Sequence, residues 1–278
     1  MAIRHPSSPH RASNKRTTPS PHWHTPRNAP PMHREPTVSL EGYRILVTGG
    51  TTGIGRATAL ELATRGAQVL IGGTDPQHLQ DALASFENTA GKVEGILSDV
   101  GTKQGVLDLF AAVDDRLGGL DIAILNAGIA ESGPLVEMEH DTCHQIVNVN
   151  LNGYISCALE SLKRMKDGGG QIILIGSMSA EECGKNSATY VASKSGIRGF
   201  SKSLRKEANP HNIRVSLIEP GKVGTDMQEE TPAEQVKAEQ QRTMLTAEDI
   251  ARSVMFVLGQ PDRCDIVFLQ VRPRLQEI

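Results

Sequence analysis

The sequence predicts an α/β protein built on a doubly wound, mostly seven-stranded parallel sheet with helices on both faces. Three observations predict it. Short apolar runs alternate with helical patterns from about residue 43 to 271, a glycine-rich turn joins the first run to the first helix, and no internal repeat or shift of composition divides the stretch.

The strands are expected at 43–48, 68–72, 93–98, 121–125, 171–176, 213–219 and 264–271. Each is a run rich in Val, Ile and Leu without regular polar alternation, as suits strands covered on both faces. Helical periodicity fills the intervals near 54–65, 76–88, 103–116, 138–165, 187–208 and 246–258. Residues 1–38 are different material. Eight of the fifteen prolines and five of the nine histidines lie there, and the first acidic residue is Glu35. That composition cannot bury an apolar core, so a disordered tail is expected over 1–38 and a single catalytic domain over 39–278. The tail carries Arg4, Arg11, Lys15, Arg16, Arg27 and Arg34, but its scattered prolines oppose an amphipathic targeting helix.

Composition narrows the function. With 29 basic and 32 acidic residues the net charge is −3, which gives no overall attraction to nucleic acid or to an anionic membrane surface. No apolar stretch reaches the length of a membrane span. Cys143, Cys157, Cys183 and Cys264 have neither the spacing of a zinc site nor that of a disulfide framework, and a cytoplasmic setting is expected. His140 and His144 stand four apart but lack a third ligand, so they read as solvated and no metal is expected.

The first chemical motif is the turn Thr48-Gly49-x-x-x-Gly53-Ile54-Gly55. It follows the strand-like Tyr43-Arg-Ile-Leu-Val47 and precedes the helical Arg56-Ala-Thr-Ala-Leu-Glu-Leu-Ala63. Glycines let the chain turn sharply and let a pyrophosphate approach backbone amides, and the helix N-terminus adds partial positive charge. Val69-Leu-Ile-Gly72 completes a βαβ unit of Rossmann type. Gly49, Thr51, Thr52, Gly53, Ile54 and Gly55 are therefore candidates to bind a dinucleotide.

The second motif is Tyr190-Val-Ala-Ser-Lys194, with Ser177 thirteen residues upstream. Positions i and i+4 share a helix face, so the Lys194 ammonium is expected beside the Tyr190 phenol, where it would favour the phenolate. Ser177, brought alongside, could hold a substrate oxygen against that phenol.

These motifs, together with Asp99-Val100, Asn126-Ala-Gly128, Asn150 and Pro220-Gly-x-x-x-Thr225, resemble the short-chain dehydrogenase/reductase family, over roughly 43 to 272. The resemblance implies an NAD(P)-dependent oxidoreductase acting on an alcohol or carbonyl compound. Tyr190 would be the general acid or base, and Ser177 would polarise the carbonyl oxygen. Lys194 would hold the nicotinamide ribose and keep the Tyr190 pKa low, while Asn150 would hold a water linking Lys194 to solvent. It further implies that Asp99 and Val100 meet the adenine end, that Asn126 and Gly128 support the sheet beneath the cofactor, and that Pro220, Gly221, Val223 and Thr225 border the nicotinamide, with Thr225 on its carboxamide.

Cofactor choice turns on the end of the second strand, Gly72-Gly73-Thr74-Asp75. NAD-preferring relatives carry an acid around Gly73, and many NADP-preferring ones an arginine around Thr74. Neither is present. Without an acid there is room for a 2′-phosphate bound by Thr74, with Asp75 turned into a helix cap and Arg56 adding long-range attraction. NADP is therefore favoured, with NAD as the other option.

The ending Ile266-Val-Phe-Leu-Gln-Val-Arg-Pro273 resembles a branch containing reductases and dehydrogenases of small 3-hydroxy acids and related alcohols, and 226–245 would be the substrate lid. The apolar excess on 138–165 and 187–208, like the family resemblance, implies a homodimer or homotetramer. A small alcohol/carbonyl oxidoreductase is thus expected. The alternative is a non-enzymatic dinucleotide-binding regulator, which the intact Ser177, Tyr190 and Lys194 argue against.

Overall fold

The computed structural model describes residues 39–276; the expected disordered tail at 1–38 lies outside the described residues. Seven strands form one all-parallel sheet in the order β3-β2-β1-β4-β5-β6-β7. They are β1 (Arg44–Thr48), β2 (Gln68–Gly73), β3 (Lys92–Leu97), β4 (Ile122–Leu125), β5 (Gly170–Ile175), β6 (Ile213–Pro220) and β7 (Phe268–Val271). The helices are α1 (Gly53–Thr64), α2 (Pro76–Ser85), α3 (Lys103–Ala112), α4 (His140–Val147), α5 (Gly153–Met165), α6 (Ser179–Glu182), α7 (Ala188–Ala208), α8 (Pro232–Gln240) and α9 (Ala247–Leu258).

Side-chain alternation divides the core into two layers. Leu46, Leu70, Leu125, Leu174 and Leu217 face the layer completed by α3, α5 and α7 through Phe110, Tyr154 and Ile197. Ile45, Val47, Ile71, Ile124, Ile173 and Ile218 face the other, with Leu62 of α1, Ala82 of α2 and Val254 of α9. Each such side chain, fully buried, contributes about 1.5–3 kcal/mol, and a slip of one residue would exchange the two faces. The pairings Val47↔Ile71 and Val47↔Ile124 fix the centre. Asp121 fastens the start of β4 to β1, accepting from the Arg44 amide at 2.8 Å and from its guanidinium at 2.7 Å.

Three boundaries differ from expectation. The last strand begins at Phe268 and not at 264, because Cys264 folds back onto the Pro261 carbonyl (2.7 Å) and Asp265 turns to Arg205 (3.8 Å). Pairing with β6 starts only at Leu217↔Phe268. The helix expected over 138–165 contains a π segment, Asn148–Asn152, between α4 and α5, and a second one, Val113–Leu117, follows α3. Immediately after the first, Gly153 packs where a Cβ would lie 2.8 Å from the Val100 carbonyl oxygen. The extra residue turns Asn150 into the interior.

The strand order reverses between β1 and β4. At such a switch point the loops diverge and leave a crevice at the C-terminal strand ends.

Candidate active site

A cavity of about 900 Å³ occupies that crevice, within the range of pockets that enclose a whole small ligand. All the candidate catalytic and cofactor-contacting residues line it except Gly55 and Asn150. Those two act from behind the wall.

The floor is the β1–α1 turn. Gly49 and Gly53 have φ of +60° and +50°, the left-handed region that favours glycine. Asn126, after β4, donates through Nδ2 to the carbonyls of Thr48 (3.1 Å) and Gly49 (3.0 Å), and its own amide donates to the Thr48 hydroxyl (2.9 Å). Gly55 is required by contact, since a Cβ there would overlap the Gly49 carbonyl and crowd the Asn126 amide. At Gly53 a Cβ would stand 3.1 Å from the Thr225 methyl, so glycine brings Thr225 against the turn. Thr52 caps α1 without a side-chain bond, and no acidic residue stands in the first turn. The N-terminal amides of α1 thus remain available to an anion.

At the end of β2, Asp75 is the N-cap of α2 and accepts from the His78 amide at 2.8 Å. That bond holds its carboxyl below the usual range, so the acid is committed to the helix. Thr51 is buried, and a Cβ on Gly73 would meet its methyl and hydroxyl at 2.6 and 2.7 Å. Thr51 therefore fills the space that a side chain at 73 would need. Thr74 opens onto the cavity beside them. Arg56, expected to add long-range attraction, donates to Ser85 (3.2 Å) and to the Asp81 carbonyl (3.3 Å) on α2. Asp99 closes its own turn by accepting from Gly101 at 2.8 Å, beside the buried Val100.

The opposite wall is α7 with the loop after β5. Ser177 accepts from the Ser179 amide (3.1 Å), donates to its hydroxyl (3.0 Å), and faces the Tyr190 phenol within hydrogen-bonding reach. One turn along α7, Lys194 is 4% exposed and donates to the Ile175 carbonyl at 3.2 Å. Its ammonium lies 5.7 Å from the Tyr190 ring centre and 5.4 Å from that of Tyr154. Burial pulls Lys194 down to about 8, opposed by the charge of Glu219. The phenol behaves contrary to expectation. Burial raises Tyr190, and the Ser177 hydrogen bond is what lowers it. Lys194 lies over the ring and donates to the Ile175 carbonyl.

Asn150 is completely buried, with Oδ1 accepting from the Ile129 amide (2.9 Å) and Nδ2 donating to the Ile129 carbonyl (2.8 Å). A Cβ on Gly128 would lie 3.4 Å from Asn150 Oδ1 and 3.6 Å from Lys194 Nζ, so glycine leaves a gap between them. Pro220, Gly221, Val223 and Thr225 border the cavity after β6, with Gly221 donating to Val271 at 2.7 Å. Met227 and Gln228 close the side toward α8. Sequence reasoning missed Tyr154, whose hydroxyl shares the Ile175 carbonyl at 2.9 Å. Its spacing, four residues after Asn150, was the available signal. Among the described residues no three His, Cys, Asp or Glu side chains are grouped to hold a metal.

The chain has clear relatives. The family profile described as short chain dehydrogenase matches residues 43–236. A 3beta-hydroxysteroid dehydrogenase of Mediterraneibacter gnavus is 35% identical over 191 residues, 68% of this chain and 69% of that protein. A 3-oxoacyl-(acyl-carrier-protein) reductase of Haemophilus influenzae is 34% identical over 228 residues, covering 78% of this chain and 91% of its own length. Among solved structures, a short chain dehydrogenase from Burkholderia cenocepacia in complex with NADP superposes with a TM-score of 0.77 at 31% identity, covering 85% of this chain and 98% of that one. The substrates in the first two names differ widely.

Proposed function

Because this chain belongs to the short-chain dehydrogenase/reductase family of oxidoreductases, we propose that it interconverts a small polar alcohol and its carbonyl compound with NADP. The carrying observation is that Ser177, Tyr190 and Lys194 meet at one end of a cavity whose other end is the β1–α1 turn. The cradle fits a dinucleotide, since Cβ atoms at Gly53 and Gly73 would crowd into its walls and α1 presents an uncapped N-terminus. The amides of Gly53 and Ile54 would face the pyrophosphate, Thr51 and Thr74 the adenosine 2′-phosphate, Lys194 the nicotinamide ribose, and Thr225 the carboxamide. NADP is the form bound in the Burkholderia relative, and Asp75 spends one carboxylate oxygen on the cap of α2.

The cofactor supplies the hydride. Ser177 holds the substrate oxygen, and Tyr190 delivers a proton to it as negative charge grows there. Burial keeps the Tyr190 phenol protonated near neutral pH, which suits carbonyl reduction. Lys194 supplies the nearby positive charge, and Gly128 leaves the gap through which Asn150 and Lys194 connect. The cavity lining includes Glu131, Glu182 and Gln145, and its lysines are Lys194 and Lys222, the latter paired with Glu230. An anionic substrate would meet these carboxylates. Neutral hydroxylated carbonyls are therefore favoured over keto acids.

A panel of aldehydes, ketones and keto acids, followed at the nicotinamide absorbance with NADPH and NADH, tests this reading. Turnover of neutral carbonyls with NADPH, bound about tenfold or more tightly than NADH, is expected. Tighter binding of NADH would show that Asp75 reaches the ribose, and tight binding without turnover across the panel would favour the regulator.

A cytoplasmic setting is supported by four free cysteines; among the described residues no helix is long and apolar enough to cross a membrane. We also propose a homodimer or homotetramer, supported by Ile155 and Leu159, 40% and 52% exposed on α5. Light scattering that gives a monomer at micromolar concentration would remove it. Residues 39–278 are proposed to act as one catalytic domain.

A further inference from the structure

Two charged side chains among the described residues are buried, and they have opposite signs: Lys194 at 4% exposure and Glu219 at 0%. Glu219 is the last residue of β6 before Pro220, so it lies directly behind the loop that borders the nicotinamide end of the cavity. Its Cγ stands 2.9 Å from where a Cβ on Gly176 would be, and Gly176 immediately precedes Ser177. A carboxylate is thus packed beneath both loops that carry the site.

Arg198 clamps this carboxylate, with Nε donating to Oε1 at 2.8 Å and a terminal nitrogen to Oε2. Arg198 lies on α7, one turn beyond Lys194. Gln270 of β7 donates to Glu219 at 3.4 Å and to Glu181 of α6 at 2.7 Å, and Arg198 reaches Glu181 at 3.2 Å. The arrangement joins α6, α7, β6 and β7. If it were only a staple, apolar side chains of similar size would serve as well, because the buried Glu219 carboxylate loses hydration that its attraction to the partly exposed Arg198 does not fully restore.

The surroundings of Lys194 show what the charge does. From its own helix it faces Tyr190, from α5 the ring of Tyr154, from β5 the Ile175 carbonyl, and across Gly128 the Asn150 amide. All are neutral. Glu219 packs against Gly176, the residue after the carbonyl that Lys194 holds, and is bound by Arg198 one turn along α7; its negative charge opposes the effect of burial on the ammonium.

We propose that Glu219 is a positioning residue for the reaction: held by Arg198, its buried carboxylate supplies the counter-charge that keeps the Lys194 ammonium in the site. Importance of Lys194 rests on the oxidoreductase reading above; the charge relation between Lys194 and Glu219 does not. Removing the anion disfavours the charged form of Lys194, so its titration moves to lower pH.

Trace acetylation of the cofactor-free protein with acetic anhydride across pH, with the Lys194 peptide quantified by mass spectrometry, reads that titration without substrate or turnover. The unmodified chain should show a midpoint near 8. Glu219→Gln should lower the midpoint by about 1 pH unit. The double variant Arg198→Met with Glu219→Leu removes both members of the pair and should lower the midpoint by less, because the two charges act on Lys194 in opposite senses, while avoiding an unpaired guanidinium. NADPH affinity should weaken with rising pH earlier in both variants than in the parent. An unchanged Lys194 midpoint in either folded variant overturns the assignment. Failure of both to fold also counts against it, making the pair a structural staple. If instead Tyr190→Phe retained turnover while the midpoint moved as expected, the oxidoreductase reading would fail and this one would stand.

Discussion

At the β1–α1 end of the cavity the working groups are backbone amides, held by glycines at 49, 53 and 55 and by the Asn126 side chain bonded to two backbone carbonyls. At the α7 end they are the side chains of the half-buried Tyr190 and the buried Lys194 and Asn150. The first end is shaped by steric fit and the second by electrostatics. The two should therefore fail differently. Altering the turn should break binding and folding together, whereas altering the wall should change chemistry and can even leave the protein more stable.

The largest effect is expected from Gly55→Ala. The new methyl would overlap the Gly49 carbonyl and crowd Asn126, and neither backbone nor a doubly bonded amide can move aside cheaply. A loss of about 3 kcal/mol or more in urea unfolding is expected, together with loss of NADPH binding. A Gly55→Ala protein that binds NADPH normally would mean that the turn is adaptable and the contrast between the two ends is false.

A smaller effect of opposite sign is expected from Lys194→Met. Burial lowers the folded value of Lys194 from 10.5 to about 8, so between those limits the unfolded chain binds more protons than the native one. The charged lysine therefore costs the fold stability that is fully lost below about pH 8 and regained as pH rises toward 10.5. The shift corresponds to an upper figure of about 3 kcal/mol. Met keeps the volume, and the Ile175 carbonyl keeps the Tyr154 hydroxyl as donor. Urea unfolding at pH 7 should show Lys194→Met more stable by about 1–3 kcal/mol, with turnover abolished. A less stable variant would show that the ammonium's own bonds outweigh its desolvation.

The same contrast explains what was legible in the sequence. The turn could be read almost completely, because a glycine required by backbone geometry leaves a fixed spacing, and strands β1 to β6 could be placed within a residue or two because the central ones, such as β1, β4 and β5, are largely apolar runs covered on both faces. The Asp75 cap was legible too, as an acid standing just before Pro76 at a helix start. The wall was legible as residue types but not as energies. Whether Lys194 lowers Tyr190 depends on where the ammonium points, and helix spacing does not specify that. The π segment that turns Asn150 inward is hidden because α and π turns share one apolar pattern over so few residues. Glu219 and Arg198 are twenty-one positions apart, and a lone acid before a proline reads as a strand end. The start of β7 was misplaced since Asp265 and Cys264 belong to a turn that no periodicity marks.

The central claim is that the turn end binds and the α7 end transfers a proton, and Tyr190→Phe tests it most directly by removing one hydroxyl from the wall and nothing from the floor. NADPH affinity and turnover of the best panel substrate should be measured on the same preparation. Affinity is expected to stay within about twofold of the parent while turnover falls by about 10²–10⁴. Near-normal turnover by Tyr190→Phe would contradict the account.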